Sequence, residues 1–80
     1  MERSEILEKL VAVAVDQLGL DADAVVEDAD FTSDMGLDSL DLLELITTLE
    51  DEFGVTIPDE DFEKLHTVAD VMDELVGLGL

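Results

Sequence analysis

Three apolar stripes at helical spacing, each followed by a glycine, constrain what this 80-residue chain can fold into more than any other feature. In "SEILEKLVAVAVDQLG", Ile6, Leu7, Leu10, Val11, Ala14 and Leu18 recur at i, i+3 and i+4, which puts them on one face of a helix. Ser4 is suited to cap its start, Gly19 to take the left-handed position past its end, and Glu5 and Lys9 to pair on its wet side. "VAVAV" alone would also suit a strand, and its flanks decide for helix. The second stripe, Leu42, Leu45, Ile46, Leu49 and Phe53, begins behind Asp38 or Ser39 and stops at Gly54. The third, Val68, Val71, Met72, Leu75 and Val76, opens at Thr67 with Asp70 placed as in a capping box, and ends at Gly77. "VTIP" reads as an extended link, and Pro58 with the acids behind it starts a brief helical turn from Asp59 to Leu65. The pattern predicts an all-α fold: a small four-helix bundle with one short third helix and a long loop between helices 1 and 2. Residues 1–80 form a single domain, since a second core would lack chain, and 77–80 are expected to be a frayed tail.

Periodicity is lost from Leu20 to Leu37, where "DADAVVEDADFTSDMG" leaves Val25, Val26 and Phe31 as apolar anchors. A loop this long in so small a domain either spans the bundle or serves a function. Its acids invite a calcium reading. An EF-hand starting at Asp21 would need a ligand at Val25 and a glycine at Val26, so that reading fails and no metal site is assigned.

Charge narrows the partners. Asp and Glu total 23 against three basic residues, Arg3, Lys9 and Lys64, for a formal charge of −20. Nucleic acid is close to excluded, because phosphate binding needs a basic face, and anionic membrane surfaces are disfavoured for the same reason. Apolar residues at 48% are too many for a disordered acidic tail. No run reaches the length of a membrane span and no signal-peptide layout opens the chain, so the expected compartment is the cytoplasm; the absence of cysteine rules out disulfides and cysteine-ligated metal. The expected partners carry Lys/Arg patches, and their encounter with this chain is steered and salt-sensitive.

The second helix departs from simple amphipathicity. At about 100° per residue, Asp41, Glu44, Asp51 and Glu52 fall opposite the core arc, while Leu40 and Leu43 fall on its flank beside Thr47. An apolar strip bordered by acids reads as a docking surface for an apolar patch ringed by basic residues. The alternative is that both leucines pack under the long loop or the short third helix. Ser39 leads into this sector. As a nucleophile it lacks a base and a G-x-S-x-G frame, and the single histidine, His66, stands far downstream as a surface or loop residue. Two readings remain: a helix cap, supplied by Asp38 or Ser39, or a modification site, since a helix N-terminus tolerates a phosphate ester.

The stretch "DMGLDSLDLLELITTLEDEFGVTIPDEDFEKLHTVADVMDEL" resembles the acyl carrier proteins, most specifically in "GLDSLD" and "EDEFGVTIPDED". The resemblance implies that 4′-phosphopantetheine is attached covalently to Ser39 by a phosphopantetheinyl transferase, which takes it from coenzyme A with Mg²⁺. The base and metal would then belong to the transferase, and the arm's thiol would hold acyl groups as thioesters. It further implies that Asp38, Asp41, Glu44, Glu50 and Asp51 meet basic residues of that transferase and of acyl synthases, transacylases, reductases and dehydratases. Leu40 and Leu43 supply the apolar part of that contact, and Asp59, Glu60 and Glu63 extend it. Phe31, Leu45, Ile46, Leu49, Phe62, Leu65 and Val71 are the implied lining of an acyl pocket, though all are core residues first.

Two positions depart from the commonest pattern: Thr47 stands where an apolar residue is frequent, and Phe62 where a small one is. The implied function is a monomeric, non-catalytic carrier of the fatty-acid-synthesis type. A discrete polyketide or aminoacyl carrier is the nearer alternative, and an unmodified acidic adaptor or cation-binding protein the more distant one.

Overall fold

A computed structural model describes residues 1–80. It has no strands. Three α-helices, α1 (Arg3–Leu18), α2 (Ser39–Phe53) and α3 (Val68–Gly77), are joined by segments that hold two 3₁₀ elements, Ala22–Ala24 and Asp59–Lys64. The bundle measures 28 × 25 × 20 Å, with α1 packed against both α2 and α3. The expected all-α bundle with one short helix is what the chain forms, the short element being the 3₁₀ helix Asp59–Lys64.

Each helix end has a local cause. Gly19 and Gly54 close α1 and α2 in the left-handed region, at φ 67° for both, where a side chain would strain the backbone. Thr67 and Asp70 form the reciprocal capping box that opens α3. The start of α1 differs from expectation. Its cap is Glu2, without a side-chain bond, and Ser4 lies inside the helix. Helix formation reaches Arg3, whose guanidinium donates to Glu27 at 2.9 Å and to Asp73 at 2.7 Å and so ties α1 to the long loop and to α3. Those two carboxylates hold the Arg3 pKa above its ordinary value, Asp73 more strongly than Glu27. No Glu5–Lys9 ion pair forms; the Lys9 ammonium sits 5.8 Å from the centre of the Phe53 ring instead, linking α1 to α2.

The core is wholly apolar. Ile6, Leu10 and Ala14 of α1 meet Leu45, Ile46 and Leu49 of α2 and Val68, Val71, Met72 and Leu75 of α3. The long loop contributes Val25, Ala29, Phe31 and Leu37, so it spans the bundle and seals it. Val26 and Val76, expected on the core side, are 45% and 44% exposed. Loop and α3 are stitched by backbone bonds, Phe31 N–H to the His66 carbonyl at 2.9 Å and Val68 N–H to the Ala29 carbonyl at 3.1 Å. The expected frayed tail is bonded back onto α3, with Leu80 N–H on the Leu75 carbonyl at 3.3 Å and the Leu80 side chain packed on the core.

Candidate functional site

Ser39 opens α2 without serving as its cap. The cap is Asp38, whose Oδ1 accepts from Asp41 N–H at 2.8 Å, while Asp41 Oδ2 accepts the longer return bond from Asp38 N–H at 3.4 Å. The serine stands between the two, exposed, its hydroxyl unpaired within the chain. The N–H groups of Ser39 and Leu40 likewise find no acceptor in the fold, as first-turn donors do not. Gly36, at φ 70°, turns the loop just before this point, and Leu37 anchors it in the core. The result is a free hydroxyl with two free N–H groups at the positive end of the α2 dipole.

A groove of about 380 Å³ runs from Ser39 between α2 and the 3₁₀ helix, lined by Leu42, Leu43, Ile46, Phe62 and Glu63. Of the residues expected to form an acyl pocket, Ile46 and Phe62 line it. Phe31, Leu45, Leu49, Leu65 and Val71 are each at most 2% exposed and form the solid core instead. Leu42 and Leu43 are the walls that sequence reasoning missed. Their i, i+1 spacing assigns them to different sectors of the helix, and only the placement of the 3₁₀ helix brings both to one hollow.

The apolar strip expected to serve in docking is open. Leu40 is 63% exposed and Leu43 44%, so neither is buried beneath the loop or the 3₁₀ helix. Glu44, Asp51, Asp59, Glu60 and Glu63 are exposed, and Asp38 and Asp41 flank Ser39 as the cap. Glu50 differs: half-buried, its Oε2 accepts from Ile57 N–H at 2.7 Å and fixes the extended link behind α2. Its first role is structural. The Thr47 hydroxyl donates to the Leu43 carbonyl at 2.9 Å, which turns its polarity back into the helix. His66 is exposed, and its backbone, not its imidazole, joins loop to α3. No group of His, Cys, Asp or Glu side chains is arranged to hold a metal ion, and no helix is long and apolar enough to cross a membrane.

Two carboxylates around the loop–α3 seam are held below the ordinary range. Asp30 accepts from Ser33 and Thr32 N–H at 3.0 and 2.8 Å, which lowers its pKa. At Asp70, partial burial works upward, but bonds from Thr67 and His66 N–H, both 3.0 Å, outweigh it and lower the pKa. Glu74 goes the other way: a hydrogen bond with Asp61, then desolvation and repulsion from the same group, raise it against the pull of Lys64.

Comparison with known proteins matches this geometry. Residues 8–75 match the family model described as phosphopantetheine attachment site. The chain is 58% identical over 73 residues to an acyl carrier protein of Thermosynechococcus vestitus, covering 91% of this chain and 90% of that protein. Its structure superposes on that of an acyl carrier protein from Enterococcus faecalis with a TM-score of 0.79 at 35% identity, over 99% of this chain and all of that one. The group this family holds covalently is 4′-phosphopantetheine, and the free hydroxyl, free N–H pair and apolar groove suit a phosphate ester with a flexible, partly apolar arm. The chain belongs to the acyl carrier proteins of the phosphopantetheine-attachment family.

Proposed function

We propose that residues 1–80 act as a single carrier domain whose Ser39 bears the 4′-phosphopantetheine arm, and that the cargo is the growing chain of fatty acid biosynthesis. The observation that carries this is the uncommitted Ser39 hydroxyl. Asp38 has taken over the capping, so esterification of Ser39 removes no bond on which the fold depends. The arm, once attached, supplies the thiol that a cysteine-free chain lacks.

The chain's own residues bind, orient and present; the bond-making chemistry belongs to its partners. Free N–H groups of Ser39 and Leu40 face the phosphate end, while Leu42, Leu43 and Ile46 offer apolar surface to the outer part of the arm and its cargo. Asp38, Asp41, Glu44, Asp51, Asp59, Glu60 and Glu63 steer the transferase, synthases, transacylases, reductases and dehydratases through basic patches, with Leu40 and Leu43 as the apolar contact. A monomer suits this, because self-association of a −20 chain is opposed by repulsion. The cytoplasm, where such enzymes find coenzyme A, is the proposed compartment.

Mass analysis of the species thioesterified to the protein drawn from its native host tests the pathway. Saturated and β-oxygenated linear acyl groups of increasing length support fatty acid synthesis. A poly-β-ketone or an amino acid would reassign the carrier to a specialised pathway.

A further inference from the structure

The 3₁₀ helix Asp59–Lys64 is a strap, fixed at both ends and loosely held between them. Before it, Ile57 is buried and its N–H is bound by Glu50 Oε2 at 2.7 Å. After it, Leu65 is buried and the His66 carbonyl accepts from Phe31 N–H at 2.9 Å. None of the backbone bonds that join one element to another involves residues 59–64. Phe62 packs against the core, and the strap's polar tie to another element is a hydrogen bond between the side chains of Asp61 and Glu74 of α3. Both residues line an open hollow of about 460 Å³ between strap and helix. Neither is freely solvated: Glu74 is half-buried and the Asp61 side chain is 20% exposed.

Four carboxylates line that hollow, and two of them are satisfied elsewhere. Asp70 accepts from His66 and Thr67 N–H, and Asp73 from Arg3 of α1, which also holds Glu27 of the long loop. His66 adds its charge to Asp30 and Asp70. Asp61 and Glu74 are left with each other and with Lys64, whose Nζ is 3.4 Å from Asp61 on a side chain 75% exposed, where water screens it. Two carboxyl groups in hydrogen-bond contact need a proton between them, and without it they repel. We propose that Asp61 and Glu74 form a proton-operated latch: one shared proton closes the strap onto α3, and its loss lets the strap swing between its anchors at Ile57 and Leu65. The sign agrees with the raised pKa of Glu74, since closure is favoured as pH falls through the raised value and lost as pH rises above it. The strap carries the exposed Asp59, Glu60 and Glu63, so the latch sets how firmly these acids are presented to a basic partner. That consequence rests on the proposed docking role, whereas the latch itself does not.

The test is backbone ¹⁵N relaxation, with dispersion, on the full unmodified chain from about pH 8 to about pH 5. In the natural sequence, the amides of residues 59–64 should lose order and show several-fold greater exchange broadening at the upper end than at the lower. The amides of α1 and α2 serve as the reference and should change far less. Glu74→Gln and Asp61→Asn each place a carboxamide that donates without a titrating proton, so both should keep the strap ordered across the range. Glu63→Gln, which removes one charge from the strap outside the latch, should behave as the natural sequence does. Strap order that is independent of pH, that follows α1 and α2 in parallel, or that changes equally in Glu74→Gln overturns the latch. Because no arm is attached, each of these results leaves the role of Ser39 untouched, and failure of Ser39 to be modified leaves the latch standing.

Discussion

The Asp38 carboxylate accepts the Asp41 N–H at 2.8 Å and passes over Ser39 entirely, so the serine heads α2 with no structural duty. That division separates cap from charge at one residue. Asp38→Asn keeps an acceptor for Asp41 N–H and should leave the Tm within a degree or two, while slowing transferase modification several-fold at low salt. Asp38→Ala should also cost about 1 kcal/mol of stability. Thermal melts beside modification rates at two salt concentrations check both. Equal rates for Asp38→Asn and the natural sequence would remove Asp38 from the docking face.

Glu50 and Asp51 are sequence neighbours in opposite settings. Glu50 Oε2 holds Ile57 N–H at 2.7 Å, whereas Asp51 is exposed. Glu50→Ala leaves a part-buried donor unpaired and is expected to cost about 1–3 kcal/mol, read by denaturant titration. Asp51→Lys should barely move stability but slow partner reactions, and more so together with Glu44→Lys. The reverse pattern would exchange the two roles.

Acid should act through Asp30 and Asp70. Both have folded pKa values below the ordinary 3.8, so they bind a proton more weakly in the fold than in the unfolded chain. Their stabilisation is therefore present above 3.8 and lost as pH falls through the depressed values. Asp70→Asn should lower the Tm at neutral pH, with the difference from the natural sequence shrinking on titration to about pH 2.5. A difference constant with pH would contradict this.

Glu74 carries the opposite sign. Its pKa is raised above 4.5 by Asp61, so its ionised form opposes the fold, and that cost is relieved as pH falls through the raised value. A carboxamide at this position would donate to Asp61 without needing a proton. Glu74→Gln should therefore raise the Tm at neutral pH by a few degrees, the gain fading toward pH 4.5. Melts across that range measure it, and a loss of Tm at neutral pH would contradict it.

What the sequence made legible was local. Periodicity placed α1, α2 and α3, glycines marked two of their ends, and Thr67 with Asp70 announced the start of α3. Ser39 stood out because "DSL" heads an acidic helix and the chain offers no base for a nucleophile. What stayed hidden depends on partners distant in sequence. Arg3 reaches Glu27 and Asp73, and α1 starts at Arg3 with no cap from Ser4. Lys9 prefers the Phe53 ring to Glu5. Glu50 turns inward because the extended link needs an acceptor for Ile57. Leu42 and Leu43 become groove walls only once Phe62 stands opposite them.

The central claim is that Ser39 accepts the arm. Intact-mass measurement after incubation with coenzyme A, Mg²⁺ and a broad-specificity phosphopantetheinyl transferase tests it most directly, run on the natural sequence and on Ser39→Ala. One phosphopantetheinyl group should be gained by the natural sequence, on the peptide that holds Ser39, and none by Ser39→Ala with helicity unchanged. No gain by the natural sequence, or equal gain by both, would contradict the claim.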